Sequence, residues 1–567
     1  MAVMMNKTNG QVGIITGALL CLLLLYIPWG YILHTGIAVP EHAGWILFGL
    51  GFMAMAVHVR LAFYRAYLLL AGMLLLTLPL LWISADADIW RALTRVLALW
   101  TGGVLFFWLA ARPLTAMQAE VTGRMIVVVG ALCALTVLLR VFWPVGYTLW
   151  LPLAGTGWAA GGVIQPDLMA TFLATALAVG LQAWLMRGRT LMLLVLFVLM
   201  FALALCQSLV GLAGIAVVAV MMLLLCARGL RRRLWGALLV LMAGGLTGGL
   251  VLTRLLHIPV IHPVDGALMV TVFRACFALL ANHPFIGVGY GAFEGALPSG
   301  VLLAGAADLF HPHVVVAHPG NELLYWITEG GLVVLIGMVL LLAWGCRLVF
   351  GLYRQASRVG GYGHEGSDGL GWVLCALPVF LFCMVGFPWY GSPMHYLLFV
   401  VFIGMATARQ AEPMKQYEPG RGVARSVRAV MLLAGVAVVW FALSGVWVAM
   451  GVQDARQTMA RDVHTLVSAH QLNPWYLSDE VGFALTVNQL QQFSQTHDAA
   501  LLPPAEVFLK AYLTRHPDPN VYSMLITVLD KQSNVQEAEA VYREGQRQVF
   551  WDNRFASEPA AVVSPQH

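Results

Sequence analysis

Six of the 16 histidines crowd into residues 257 to 318: His257, His262, His283, His311, His313 and His318. The same stretch holds Arg274, Asp265, Asp308 and Glu294. Titratable groups gathered in one polar stretch of an apolar chain are what an active site at a membrane surface requires. Taken singly, each histidine reads as an ordinary polar surface residue, so order and spacing carry the argument. In His318-Pro319-Gly320-Asn321-Glu322, proline at the first helical position predicts that His318 caps a helix. The positive helix end would lower the imidazole pKa and keep it neutral, as a general base needs. Glu322, Tyr325 and Glu329 then share a helix face with it. Glu329 falls inside an apolar run, where an ionisable group is functional or paired. A helix–helix hydrogen bond beside Gly330 and Gly331 accounts for it equally well.

Upstream, Phe273 to Gly291 reads as an amphipathic helix ending in a turn with Gly287, Gly289 and Gly291. These glycines permit close backbone approach, but without a preceding strand or a following capped helix they make no nucleotide fingerprint.

The chain that must hold these groups is dissolved in lipid. Hydrophobic residues make up 60% of it and charged ones 10%, against about a quarter charged in soluble domains. Spans of about 20 apolar residues are predicted to begin near Val12, Gly44, Ala66, Trp90, Met125, Leu168, Thr190, Leu209, Trp235, Asn321, Gly371, Pro393 and Ala429. The apolar run Ile14 to Ile32 reads as a retained span, longer than a signal-peptide core. Helices alone can satisfy their backbone in lipid here. The expected fold is therefore all-α: a polytopic transmembrane bundle of about 13 spans.

Charge sets the expected orientation. From Asp454 onward there are 13 acidic and 8 basic side chains, so the basic excess of the +5 chain lies in the membrane part. With the N-terminus cytoplasmic, 19 of the 24 preceding Lys and Arg residues fall inside, the Arg231-Arg232-Arg233 run among them. Arg91, Arg95, Arg140, Arg254 and Arg274 fall outside. That bias reports topology and not nucleic-acid binding. Four segments follow: spans in 1–253, a large periplasmic loop in 254–320, further spans in 321–450, and a periplasmic helical domain in 451–567. In the last, Pro519 to Leu525, a break at Ser533-Asn534, and Val535 to Phe550 resemble one tetratricopeptide unit, where a stable stack needs about three. All 8 cysteines precede residue 384 and none forms a CxxC pair, so neither a disulfide framework nor a thiolate metal site is encoded. His311-x-His313 with His318 could make a zinc site, but ligand sets need a geometry that three loop histidines rarely supply, and no essential metal or cofactor is expected.

Two blocks carry a resemblance. Arg274 followed by His283-Pro284-Phe285-Ile286-Gly287-Val288-Gly289 and Phe293, then His318 with Asn321-Glu322-Leu323 and Glu329-Gly330-Gly331-Leu332, resemble the O-antigen ligase superfamily of bacterial membrane glycosyltransferases. The His-Pro-x-Asn-Glu-Leu form looks most like protein O-oligosaccharyltransferases of the PglL type. Gln165-Pro166-Asp167-Leu168-Met169-Ala170 is similar to a Gln-x-Asn element of that branch, and the helical C-terminal extension also resembles it. The chain departs from the pattern at Gly320, where many members carry a second histidine. It departs also at Asp167, and at Gln207-Ser208-Leu209, where a Ser-Arg pair is usual; Arg254, Arg140 or His313 could replace that cation.

The resemblance implies transfer of a preassembled glycan from undecaprenyl diphosphate to a hydroxyl of a periplasmic protein, such as a pilin-like acceptor, at the bacterial inner membrane. On that basis Arg274 is expected to grip the diphosphate and His318 to deprotonate the acceptor, with Glu322 orienting it. His313, Gln165, Asn321 and Arg254 are the further expected substrate-binding residues. Ligation to lipid A core sugars or polymerisation of O-antigen repeats would use similar residues. A transporter of polysaccharide or lipid is the competing class, and the chain shows no internal repeat of the kind transporters carry.

Overall fold

The computed structural model describes residues 39–555, except 59–62, 65, 85–86, 112–114, 144–165, 258–265, 313–314, 365, 387–388, 390–391, 411–415 and 418–419. The expected span near Val12, and the residues Gln165, His262, Asp265 and His313, lie outside the described residues.

The architecture is helical. The strand pairing assigned among the described residues is a two-residue antiparallel pair, Phe63–Tyr64 with Gln416–Tyr417. Six helices are long and apolar enough to cross a membrane: Ile89–Ala110, Met117–Phe142, Asp167–Arg187, Arg228–Leu255, Glu322–Arg358 and Arg421–Gln457. On Arg421–Gln457 the large apolar residues Val430, Leu433, Val436, Trp440, Leu443 and Trp447 recur at helical spacing and are exposed. An apolar stripe left bare over that length belongs in lipid, so this is a multi-pass membrane protein. Other expected spans correspond to shorter helices, Leu191–Leu205 and Asp368–Phe382 having 15 residues each. Length therefore supports six crossings among the described residues where thirteen were expected over the whole chain.

The chain divides into two compact units. The first takes residues 1–70, 98–263 and 341–446. Its central helix, Pro166–Arg187, is buried on nearly every side by the helices Ala116–Phe142, Leu191–Leu205, Leu209–Leu225 and Asp368–Phe382. A helix that is apolar all round needs such a site.

The second unit takes residues 71–97, 264–340 and 447–567. Much of the stretch expected as a large loop is built from two packed helices, Gly266–Asn282 and Phe293–Leu303. C-terminal to them come His464–Leu472, Ser478–Thr496, Leu502–Arg515, Pro519–Lys531 and Val535–Gln548, and from Ser478 onward each long helix packs on the next. Leu509, Leu513, Val521, Leu525, Leu529 and Phe555 form their core. Pro519 opens its helix at a tolerated position, and the Asp518 side chain accepts hydrogen bonds from the N–H groups of Asn520 and Val521. Helix Phe293–Leu303 packs against both Leu502–Arg515 and Val535–Gln548.

Candidate active site

All the groups that converge lie in the second unit. Its frame begins at a break in the helix Glu322–Arg358, where Gly331 adopts φ 61°, ψ −150°. A broken helix leaves carbonyls unpaired, a large cost at membrane depth unless protein covers them. The glycine turn supplies the partners. Val288 N–H donates to Thr328 O at 3.0 Å, Gly289 N–H to Glu329 O at 2.9 Å, and Leu332 N–H to Pro284 O at 2.8 Å. A Cβ on Gly287 would lie 2.5 Å from the Thr328 carbonyl oxygen, and one on Gly331 would lie 2.5 Å from the Gly287 nitrogen. The His-Pro-x-x-Gly-x-Gly block and the Glu-Gly-Gly block are thus two halves of one backbone joint.

Glu329 clamps that joint from inside. Its Oε1 accepts the N–H groups of Gly291 at 3.1 Å and Phe293 at 3.2 Å, and its Oε2 takes Arg95 Nη2. The guanidinium of Arg95 sits 4.5 Å from the ring centroids of Tyr290, Tyr325 and Trp326. Both charges are almost fully buried. Arg95 Nε and Nη1 have no hydrogen-bond partner among the described residues, so the ring faces supply the remaining stabilisation through cation–π attraction. Glu329 is therefore a paired structural carboxylate.

One helical turn before Arg95, Arg91 is only partly covered. Asp88 caps the helix that carries both arginines, accepting from the N–H groups of Trp90 at 3.1 Å and Arg91 at 3.0 Å. Arg91 Nη1 donates to Glu294 Oε2 at 3.1 Å. The other oxygen of Glu294 meets His516 Nδ1 at 2.8 Å, and His516 Nε2 meets Asp479 Oδ2 at 3.0 Å. Arg515 closes the chain with two hydrogen bonds to Asp479, at 2.7 and 2.9 Å. Burial alone would raise the Glu294 carboxyl, but His516 and Arg91 hold it below the usual range. Burial likewise opposes protonation of His516, yet its two carboxylate neighbours lift it to about 9. Asp479 falls to about 2, because His516 and Arg515 outweigh its burial.

His318 is half-buried and electrostatically close to Arg91. Its pKa is lowered, first by burial and then by the Arg91 charge. The expected direction holds; the expected cause does not. The helix starts at Glu322, and Asn321 caps it, its Oδ1 accepting Leu324 N–H at 2.8 Å. His318 precedes it across a turn in which Gly320 has φ 67°. Asn321 thus has a local structural task, since a cap satisfies one of the helix's unpaired N–H groups. The Gly320 N–H donates to His318 Nδ1 at 3.3 Å, so the neutral ring carries its proton on Nε2. Glu322 is buried in the first helical turn, where a carboxylate suits the positive helix end.

The other expected residues stand apart from this cluster. Arg274 is exposed on Gly266–Asn282, and among the described residues no hydrogen bond or ion pair engages it. Arg254 is exposed near the end of its helix in the first unit. Also in that unit, Asp167 Oδ1 accepts the Ser208 hydroxyl at 2.5 Å, so the aspartate that replaces the expected asparagine is paired with the serine of the Gln207-Ser208-Leu209 element. Sequence reasoning treated Arg91 and Arg95 as scattered outer charges and gave no part to Asp479 or His516. A signal existed for the arginines: cations are scarce on the outer side, and these two lie one turn apart on one helix face.

Residues 371–562 match the model of a family described as virulence factor membrane-bound polymerase, C-terminal. The matched third of the chain includes Asp479, Arg515 and His516 and ends beyond the last helix; the Arg274 and His318 blocks lie outside it. No curated protein matches the chain.

Proposed function

Because its C-terminal third is that of a membrane-bound polymerase and ligase family within the O-antigen ligase superfamily, we propose that this chain moves a preassembled glycan from undecaprenyl diphosphate to a hydroxyl acceptor. The observation that carries the reading is a half-buried His318, its pKa lowered by burial and by the charge of Arg91, in the same unit as the exposed Arg274. The acceptor oxygen attacks the anomeric carbon, the bond from that carbon to the diphosphate breaks, and undecaprenyl diphosphate leaves. Arg274 holds the diphosphate through paired charged hydrogen bonds. His318 takes the acceptor proton at Nδ1, exchanging its long contact with Gly320. In the free protein Arg91 weakens this base. A bound diphosphate would offset that charge and restore its basicity, so proton transfer is favoured only when donor is present.

The acceptor we favour is a Ser or Thr hydroxyl of a periplasmic protein, with the C-terminal helices beside the site as its docking platform. The description of the matched family favours a second reading, in which the acceptor is a sugar of another lipid-linked repeat. Purified chain supplied with a lipid-linked glycan and a pilin-like protein tests both. Glycosylated protein supports the first, lengthened lipid-linked glycan the second. The assignment fails if His318→Ala and Arg274→Ala each transfer at the wild-type rate.

A further inference from the structure

A cleft of about 420 Å³ opens in the second unit beside Glu294, the carboxylate that Arg91 and His516 share. That volume lies within the roughly 300–1,000 Å³ of small-molecule sites. Its walls come from the segment around helix Phe293–Leu303 and from the ends of the last two C-terminal helices. Phe310 is buried at its edge and holds the half-exposed Trp551 ring in a perpendicular contact, with centroids 5.0 Å apart.

The charges in the lining are already spoken for. Asp552 is taken by Arg554 at 2.9 Å, and Asp518 by the helix N–H groups of Asn520 and Val521. Glu294 belongs to Arg91 and His516. Three carboxylates against one engaged arginine make a poor seat for a diphosphate, and their neutralisation leaves little to attract a cationic peptide. Uncharged hydrogen-bonding groups remain beside an aromatic ring. Arg554 Nη2 donates to Asn520 Oδ1 at 3.0 Å, which fixes that amide with its NH₂ group as the donor on offer. Asn553 is exposed. An aromatic face flanked by planar amides suits a neutral ring whose two faces are apolar C–H and whose rim is hydroxyl.

We infer that this cleft is a saccharide-binding subsite, in which Trp551 stacks on a sugar ring and Asn520 and Asn553 hydrogen-bond its hydroxyls. The identity of its occupant, the glycan portion of the donor, rests on the glycan-transfer reading. Glu294 lines the cleft and binds Arg91, so such a glycan would lie in the same unit as Arg91 and His318, one carboxylate away from that guanidinium.

The test uses the full chain in detergent and the free oligosaccharide released by mild acid from the lipid-linked pool of the producing cells. The sugar is labelled at its reducing end and followed by equilibrium dialysis. Saturable binding is expected, weakened about tenfold or more by Trp551→Ala and by the exposed change Asn553→Ala. Wild-type binding in both cleft variants overturns the inference, as does displacement of the sugar by a Ser/Thr-rich peptide. Glycan transfer measured on the same preparation separates the two claims. Transfer without saccharide binding overturns the subsite and leaves the activity; binding lost in Trp551→Ala without transfer by the wild type overturns the activity and leaves the subsite.

Discussion

His516 Nδ1 lies 2.8 Å from Glu294 Oε1, which ties the C-terminal helices to the segment that carries the candidate site. Protonated His516 is held there by two carboxylates, and its pKa of about 9 exceeds the unperturbed 6.5. Its stabilisation is therefore fully present below pH 6.5 and is lost as pH rises through about 9. Asp479, lowered from 3.8 to about 2, contributes above pH 3.8 and loses that contribution as pH falls through about 2. The tie is strongest between those limits. His516→Gln should lower stability by about 1.5–3 kcal/mol at pH 6, the usual size for hydrogen bonds to charged groups, and by much less at pH 9.5. Thermal unfolding of both proteins at the two pH values checks this; an equal loss at both would show that the charge is not involved.

The Arg95–Glu329 pair should behave differently, because neither charge reaches solvent. Removing one partner strands the other, so Arg95→Met or Glu329→Gln should destabilise by about 3–5 kcal/mol. Replacing both by apolar residues should cost less than the sum of the single changes. Unfolding of the two single variants and the double variant gives the coupling directly.

His318 must be neutral to accept a proton, and its pKa is lowered by burial and by Arg91. Transfer activity should therefore persist below the ordinary histidine range and fall only at more acidic pH. Arg91→Gln removes the repelling charge, so the acid limb of the profile in the free protein should move to higher pH. His318→Ala should cut kcat about 10²–10⁴-fold, the usual contribution of a general base. A limb that stays in place in Arg91→Gln would detach Arg91 from this role.

Gly331→Ala probes the backbone joint. Its φ of 61° with ψ −150° is open to glycine, and the added methyl group would meet the backbone of Phe285 and Gly287. A strained residue of this kind costs about 1–3 kcal/mol before any clash is counted. Reduced thermal stability together with reduced transfer is expected. By contrast, the exposed Arg274→Gln should reduce transfer with a wild-type melting temperature.

Much of this was legible from residue order. Apolar run length announced a membrane protein; the two blocks around Arg274 and His318 resemble a superfamily of membrane glycosyltransferases, and the family match, to a membrane-bound polymerase, lies C-terminal to both blocks. Helical periodicity with Pro519 and Ser533-Asn534 as punctuation located the last two helices. The start of the Glu322 helix was misplaced by a few residues, since proline at 319 pointed to His318 as the cap when Asn321 fills that position.

What the sequence alone determined is chemistry that depends on local order: which stretches are apolar, where glycine and proline interrupt them, and which side chains could titrate. The tertiary structure decided which of those groups meet. Glu329 became structural because Arg95, 234 residues earlier, reaches it. The Gly-x-Gly turn found its purpose in the carbonyls freed at Gly331. The loop first marked by its histidines kept His318 as a candidate and gained Arg91, Glu294 and His516 around it. Pairing across such separations depends on how helices pack, and no spacing rule within one segment encodes it.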